Sequence, residues 1–215
     1  MAHIFVILAL ILLLSFSAVN VHAQSSSTIL VVGDSLSAEY GLQRGTGWVA
    51  LMQKELQREM GEDVQVVNAS ISGETTAGGR ARIGRAIEQN MPALVVIELG
   101  ANDALRGLSL EHSKNNLQAM IEMSQKSGAE VLLLGIQVPP NYGKAYTDQF
   151  AQMYQQLAEE YNVALVPFFL TGVADVPEAD GYFQRDRTHP NEKAQPVILQ
   201  NILPQIYALV RNQSK

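Results

Sequence analysis

Residues 28–37 read TILVVGDSLS: five apolar or β-branched residues, then a glycine, an acid and a serine. A run of that kind, without alternation, is the pattern of a strand buried on both faces of a parallel sheet. Four more runs share it, at 64–68 (VQVVN), 93–99 (ALVVIEL), 131–136 (VLLLGI) and 164–166 (ALV). Between them apolar residues recur at helical spacing. Trp48, Leu51, Met52, Leu56 and Met60 share one face, and Phe150, Met153, Tyr154, Leu157, Ala158 and Tyr161 another. Ile198, Ile202, Ile206, Leu209 and Val210 make a third. The β-α alternation predicts a single doubly wound α/β domain, with a five-stranded parallel sheet and helices on both faces. No repeat, low-complexity tract or linker divides it between about residues 27 and 211.

The first 33 residues contain no Asp, Glu, Lys or Arg, and residues 4–14 (IFVILALILLL) are apolar throughout. A membrane-spanning helix needs about 20 such residues, whereas the hydrophobic region of an export signal needs about 7–15. Val21-His22-Ala23 offers a cut before Gln24, so residues 1–23 read as a signal peptide and 24–215 as the mature domain. The competing reading is an uncleaved anchor, since only the α-amino group and His3 lend positive charge. A cleaved signal implies a periplasmic or secreted protein with no stable membrane insertion.

The whole chain has 215 residues, 15 Lys+Arg against 21 Asp+Glu, and no cysteine. A net charge of −6 argues against a nucleic-acid partner, which would require clustered cations. Absence of cysteine excludes disulfides, thiolate metal sites, thiol nucleophiles and a lipid-modified N-terminus.

In open α/β sheets the ligand crevice lies beyond the C-terminal ends of the strands. The small, polar, turn-forming clusters of this chain all fall there. After cleavage two histidines remain, His112 and His189. His112 opens a polar helix (SLEHSKNN) and reads as a surface residue. His189 precedes Pro190, which favours extended geometry, and follows Asp186 by three residues. Asp186 could orient the ring as in a general-base pair, or merely cap the last helix or pair with Arg185 or Arg187. Ser35, in the Gly33-Asp34-Ser35 turn, is the matching hydroxyl nucleophile, although such a turn alone is common. Gly73 and Asn102 are suitable donors for a developing oxyanion, although each alone could be an ordinary turn residue. Their coincidence at separate strand ends favours acyl transfer.

Taken in order, Gly33-Asp34-Ser35-Leu36-Ser37, the glycine of Ser70-Ile71-Ser72-Gly73-Glu74-Thr75, Gly100-Ala101-Asn102-Asp103 and Asp186-x-x-His189-Pro190 resemble the four blocks of the SGNH (GDSL-type) hydrolases. Residues 67–73, Leu105-Arg106-Gly107 and Asn141-Tyr142-Gly143 resemble its exported branch of acyl-CoA thioesterases, lysophospholipases and arylesterases. The resemblance spans the mature chain. It implies a flavodoxin-like sheet and a monomeric Ser-His-Asp hydrolase of small-molecule or lipid acyl esters and thioesters, with no cofactor and no metal. Carried over by position, Ser35 is nucleophile and first oxyanion donor, Gly73 and Asn102 complete the hole, His189 is the base and Asp186 orients it. Residues 104–108 and the 141–143 loop flank Asn102. They form either an acyl-pocket wall, with Leu105, Arg106, Asn141 and Tyr142 as substrate-binding residues, or turns and packing.

The sequence departs from the family pattern at Glu39 and Ala101, where glycine is usual, and at Arg187-Thr188. Glu39 and Arg187 are expected to bring charge near the crevice. Glu98, inside an apolar strand, reads as a buried carboxylate satisfied by neighbouring donors. Residues 76–85 (TAGGRARIGR) lack the phosphate-loop pattern and read as a helix with a solvated basic face. A carbohydrate O-deacetylase of the same fold and a non-catalytic exported protein that binds lipid or sugar are the alternatives.

Overall fold

The computed structural model describes residues 28–212; the expected signal peptide and its cleavage point lie outside the described residues. Five strands form one sheet: β1 (Thr28–Gly33), β2 (Gln65–Asn68), β3 (Leu94–Glu98), β4 (Glu130–Leu134) and β5 (Ala164–Val166). Their order is β2-β1-β3-β4-β5 and every pair is parallel. Six helices connect and follow them: α1 (Trp48–Met60), α2 (Thr76–Asn90), α3 (Ala101–Leu105), α4 (Leu110–Lys126), α5 (Lys144–Tyr161) and α6 (Gln195–Asn212).

Helix α1 packs on α6, while α2 packs on α4 and α4 on α5. These two groups enclose the sheet, so β1 from Ile29 onward and all of β3 are buried, as their unbroken apolar runs require. The expected inward faces are the observed ones: Trp48, Met52 and Leu56 in α1, Phe150, Met153, Tyr154 and Leu157 in α5, and Ile198, Ile202 and Ile206 in α6 are buried. The edge strands are less covered: Val66 and Val67 of β2 and Ala164 and Leu165 of β5 are only partly buried, and Gln65 and Asn68 are exposed, because each strand pairs with one neighbour alone.

The strand order reverses direction between β1 and β3, which opens the crevice typical of this topology at their C-terminal ends. The register aligns Gly33 with Glu98 there, so the turns after these two strands start side by side. Beyond β2, Ala69 and Ile71 continue to donate to Val31 and Gly33 carbonyls, at 2.9 and 3.0 Å, bringing the 72–75 turn to the same edge.

Among the described residues, no helix is long and apolar enough to cross a membrane.

Candidate active site

Ser35 lies in a turn held by Asp34, whose backbone oxygen accepts from Ala38 N–H at 2.9 Å and whose side-chain Oδ1 accepts from Leu36 N–H at 2.9 Å. The Ser35 hydroxyl is 2.9 Å from His189 Nε2, and His189 Nδ1 is 2.7 Å from Asp186 Oδ2. Asp186 Oδ1 accepts from the backbone N–H groups of Thr188 and His189, each at 3.0 Å. These donors, with the imidazole, hold the Asp186 carboxyl down at about 2, so it is an anion and can only accept. Nδ1 therefore carries the ring proton and Nε2 turns its lone pair to Ser35.

The loop that presents His189 is braced by a residue that sequence reasoning passed over. Gln184 N–H donates to His189 O at 2.8 Å, and its side chain donates to Tyr40 O at 2.8 Å and Pro190 O at 3.2 Å. Gln184 thus joins the serine turn to the histidine loop. Gly41 makes room for it, since a Cβ there would overlap the Gln184 amide. The Tyr40 ring lies 4.3 Å from the His189 ring, centroid to centroid, and covers it on one side. No local motif marks Gln184 or Tyr40; only long-range contacts do.

Asn102 sits in the first turn of α3, and its Nδ2 donates to Asp34 Oδ2 at 2.8 Å, leaving one amide hydrogen for the crevice. Gly73 has φ +78°, a conformation that favours glycine, and its carbonyl accepts from Arg106 Nη2 at 2.8 Å. Among the described residues, neither the Ser35 N–H nor the Gly73 N–H meets an acceptor. Asp103 locks the two donor-bearing segments together. Its carboxylate accepts from Thr76 N–H at 2.9 Å, from Thr76 Oγ1 at 2.5 Å and from Ser113 Oγ at 3.1 Å.

Next to Ser35, Asn102 and His189 opens a cavity of about 280 Å³, walled chiefly by Leu36, Leu105, Ile136, Val138, Leu170 and Phe183. Of the residues expected to bind substrate, Leu105 is in this wall, whereas Arg106 holds the Gly73 carbonyl instead. Asn141 and Tyr142 lie outside it. After β4 the chain supplies residues 136–139 to the cavity and then turns through Pro140–Tyr142 into α5, where the Tyr142 ring stacks on Tyr146 at 6.2 Å.

Glu39 does not bring charge to the crevice. Its carboxylate accepts from the Gly45 and Gly47 N–H groups at 2.9 and 2.8 Å, closing the loop before α1. Arg187 does line the cavity, 3.7 Å from the exposed Asp180. Both occupy the left-handed region, with φ of +58° and +55°. The α2 face is not simply solvated either, because Arg82 is paired with Glu74. His112 is an exposed residue of α4, whose first turn is capped by Ser109.

The model of the GDSL-like lipase/acylhydrolase family matches residues 31–195. Esterase TesA of Pseudomonas aeruginosa is 50% identical over 186 residues, 86% of this chain and 90% of that protein. Thioesterase 1/protease 1/lysophospholipase L1 of Escherichia coli K12 is 38% identical over 192 residues, 89% of each. A crystal structure of a TesA superposes with a TM-score of 0.81 at 51% identity, covering 85% of this chain and 99% of that one. The sheet order, the turns at its C-terminal edge and the matched sequence agree, and the chain belongs to the GDSL-like lipase/acylhydrolase family.

Proposed function

We propose that this protein hydrolyses carboxylic esters and thioesters through an acyl-enzyme on Ser35, with His189 as general base and Asp186 as its orienting anion. The observation that carries the reading is the continuous relay from Ser35 Oγ to His189 Nε2 (2.9 Å) and from Nδ1 to Asp186 (2.7 Å). As Ser35 attacks the acyl carbon, its proton passes to Nε2, and the imidazolium is stabilised by the Asp186 carboxylate. The carbonyl oxygen, becoming an anion, receives hydrogen bonds from Ser35 N–H, Gly73 N–H and the second amide hydrogen of Asn102. Collapse of this intermediate breaks the bond to the leaving alcohol or thiol, which takes the proton from Nε2. Water, deprotonated by the same nitrogen, then attacks the acyl-enzyme and releases the acid and free Ser35.

The names of the relatives, esterase TesA and thioesterase 1/protease 1/lysophospholipase L1, support this substrate class. The apolar cavity beside Ser35 supports acyl groups longer than acetyl, and so favours esterase over O-deacetylase activity. The apolar stretch at residues 4–14 supports export, with residues 24–215 as the mature hydrolase domain.

Ser35→Ala is expected to lower kcat on 4-nitrophenyl octanoate by at least about 10³-fold and to abolish labelling by a fluorophosphonate probe, with the thermal midpoint preserved. Near-normal turnover in that variant removes Ser35 as nucleophile. A wild-type protein that neither reacts with the probe nor cleaves esters is a binding protein instead.

A further inference from the structure

Directly behind Ser35 lies a buried acid pair that the acyl-transfer steps leave unused. Asp34 and Glu98 are each 1% exposed, on the adjacent ends of β1 and β3. Glu98 Oε2 accepts from Ser37 Oγ at 2.7 Å and from Asp34 N–H at 3.3 Å. Asp34 uses both oxygens as acceptors, Oδ1 from Leu36 N–H at 2.9 Å and Oδ2 from Asn102 Nδ2 at 2.8 Å. Among the described residues, neither carboxyl is ion-paired with a lysine or arginine. The other ionisable groups facing them are Asp103 from α3, Tyr154 from α5 and His189 from its loop.

Two adjacent carboxylates out of water and without a cation cannot both be charged cheaply; one of them keeps its proton. The hydrogen bonds say which. A protonated Asp34 would turn one of its two accepting oxygens into a donor and lose either Leu36 or Asn102. Glu98 loses nothing, since both of its bonds end on Oε2 and Oε1 is free to carry the proton. Burial, reinforced by the Asp34 charge, pushes the Glu98 carboxyl well above its ordinary range, whereas Asp34 is pushed up only to about 6, chiefly by burial.

We propose that Asp34 and Glu98 are positioning residues for the oxyanion hole: a neutral Glu98 lets Asp34 remain an anion, and Asp34 turns the Asn102 amide so that a hydrogen, and not its oxygen, faces the ester carbonyl. A side-chain amide is nearly symmetric in shape, so packing alone distinguishes its two ends poorly. Only an acceptor on one side fixes the sense, and ionised Asp34 is that acceptor. A flipped Asn102 would present a lone pair to the oxyanion and oppose the reaction it should assist.

The inference rests on acyl transfer at Ser35, and its test separates the two. Asp34→Asn has one carbonyl oxygen for two donors, and its kcat is expected to fall by about 10²-fold with KM within about threefold. Asn102→Ala should fall by a similar factor, and the double variant should be no slower than Asn102→Ala alone, because Asp34 acts through that amide. Multiplying losses, or an Asp34→Asn enzyme within about threefold of wild type, overturn the proposal while leaving Ser35 in its role. Infrared spectra of the wild-type protein at pH 7 should show the C=O stretch of a protonated carboxylic acid. That band should be missing from Glu98→Gln, whose neutral side chain should retain kcat to within about fivefold. An absent band in the wild type, or a Glu98→Gln enzyme slowed by about 10²-fold, overturns the proposal whether or not the Asp34 variant folds.

Discussion

Gly100 is where fold and site are most tightly coupled, and Gly100→Ala is the most informative substitution. Gly100 follows β3 by two residues and caps α3, the short helix that carries Asn102, with φ +128°. A Cβ there would overlap the hydroxyl oxygen of Tyr154. That tyrosine is 1% exposed, and its hydroxyl donates to the Leu99 carbonyl at 2.9 Å. An alanine at this φ costs about 1–3 kcal/mol of backbone strain. Displacing the hydroxyl from its buried acceptor costs about 1–3 kcal/mol more. The variant should thus lose about 2–6 kcal/mol, a fall of roughly 5–20 °C in thermal midpoint for a domain of this size. Without the Tyr154 hydroxyl, the nearest atoms to the new Cβ are Tyr154 Cζ at 3.4 Å and Phe150 Cζ at 3.6 Å, ordinary contacts. Tyr154→Phe alone leaves Leu99 O unpaired and should cost about 1–3 kcal/mol. The double variant should be no less stable than Gly100→Ala, because the hydroxyl bond is already lost in the single one. Urea or thermal denaturation of the four proteins measures the cycle. Additive losses, or a Gly100→Ala protein within about 1 kcal/mol of wild type, refute the reasoning. Its kcat should fall as well, since α3 starts one residue later and orients Asn102.

Two other expectations concern acid stability and the cavity. Asp186 sits at about 2 in the folded protein against an ordinary 3.8. A carboxyl depressed by folding adds stability above its unfolded value and loses it as pH falls through the folded one. The wild-type thermal midpoint should therefore fall towards that of Asp186→Asn between about pH 4 and 2; parallel curves for the two proteins would show that the Asp186 contacts add no stability. Ala174 is an exposed residue at the cavity, so Ala174→Leu should fold normally. It should lower kcat/KM for octanoyl esters by about tenfold while sparing acetyl esters, and an equal effect on both would place the acyl chain elsewhere.

Much of this could be read from local sequence because it depends on local forces. Residues 29–32 and 93–97 are apolar without alternation, which only a strand covered on both faces tolerates, and β1 and β3 are interior strands of the sheet. The turns at Ser35, Gly73, Asn102 and His189 were placed on one edge because all strands of a parallel sheet point the same way. The structure brings Ser35, His189 and Asp186 into hydrogen-bond contact and places Asn102 beside Ser35 and His189 on one cavity wall. Asn141 and Tyr142, for which local sequence leaves a pocket wall and a turn equally open, follow β4 at that edge in the 3-10 turn at Pro140–Tyr142, beyond the residues 136–139 that line the cavity. Glu39, which stands where the family usually has glycine, is expected from sequence to bring charge near the crevice. Its left-handed backbone and the Gly45 and Gly47 amides tie its carboxylate into the loop before α1 instead.

The sequence by itself determined that this is a parallel α/β domain with a Gly-Asp-Ser turn and a histidine at the C-terminal edge of its sheet, since strand burial, helix periodicity and turn chemistry act over a few residues. Only the tertiary structure decided which polar groups meet: Asp34 with Asn102, 68 residues apart, Gln184 with Tyr40, 144 apart, and Ser35 with His189, 154 apart. Hydrogen bonds act over about 3 Å and are directional. No pattern along a chain encodes such a distance between strands, and it appears only once the sheet has set its register.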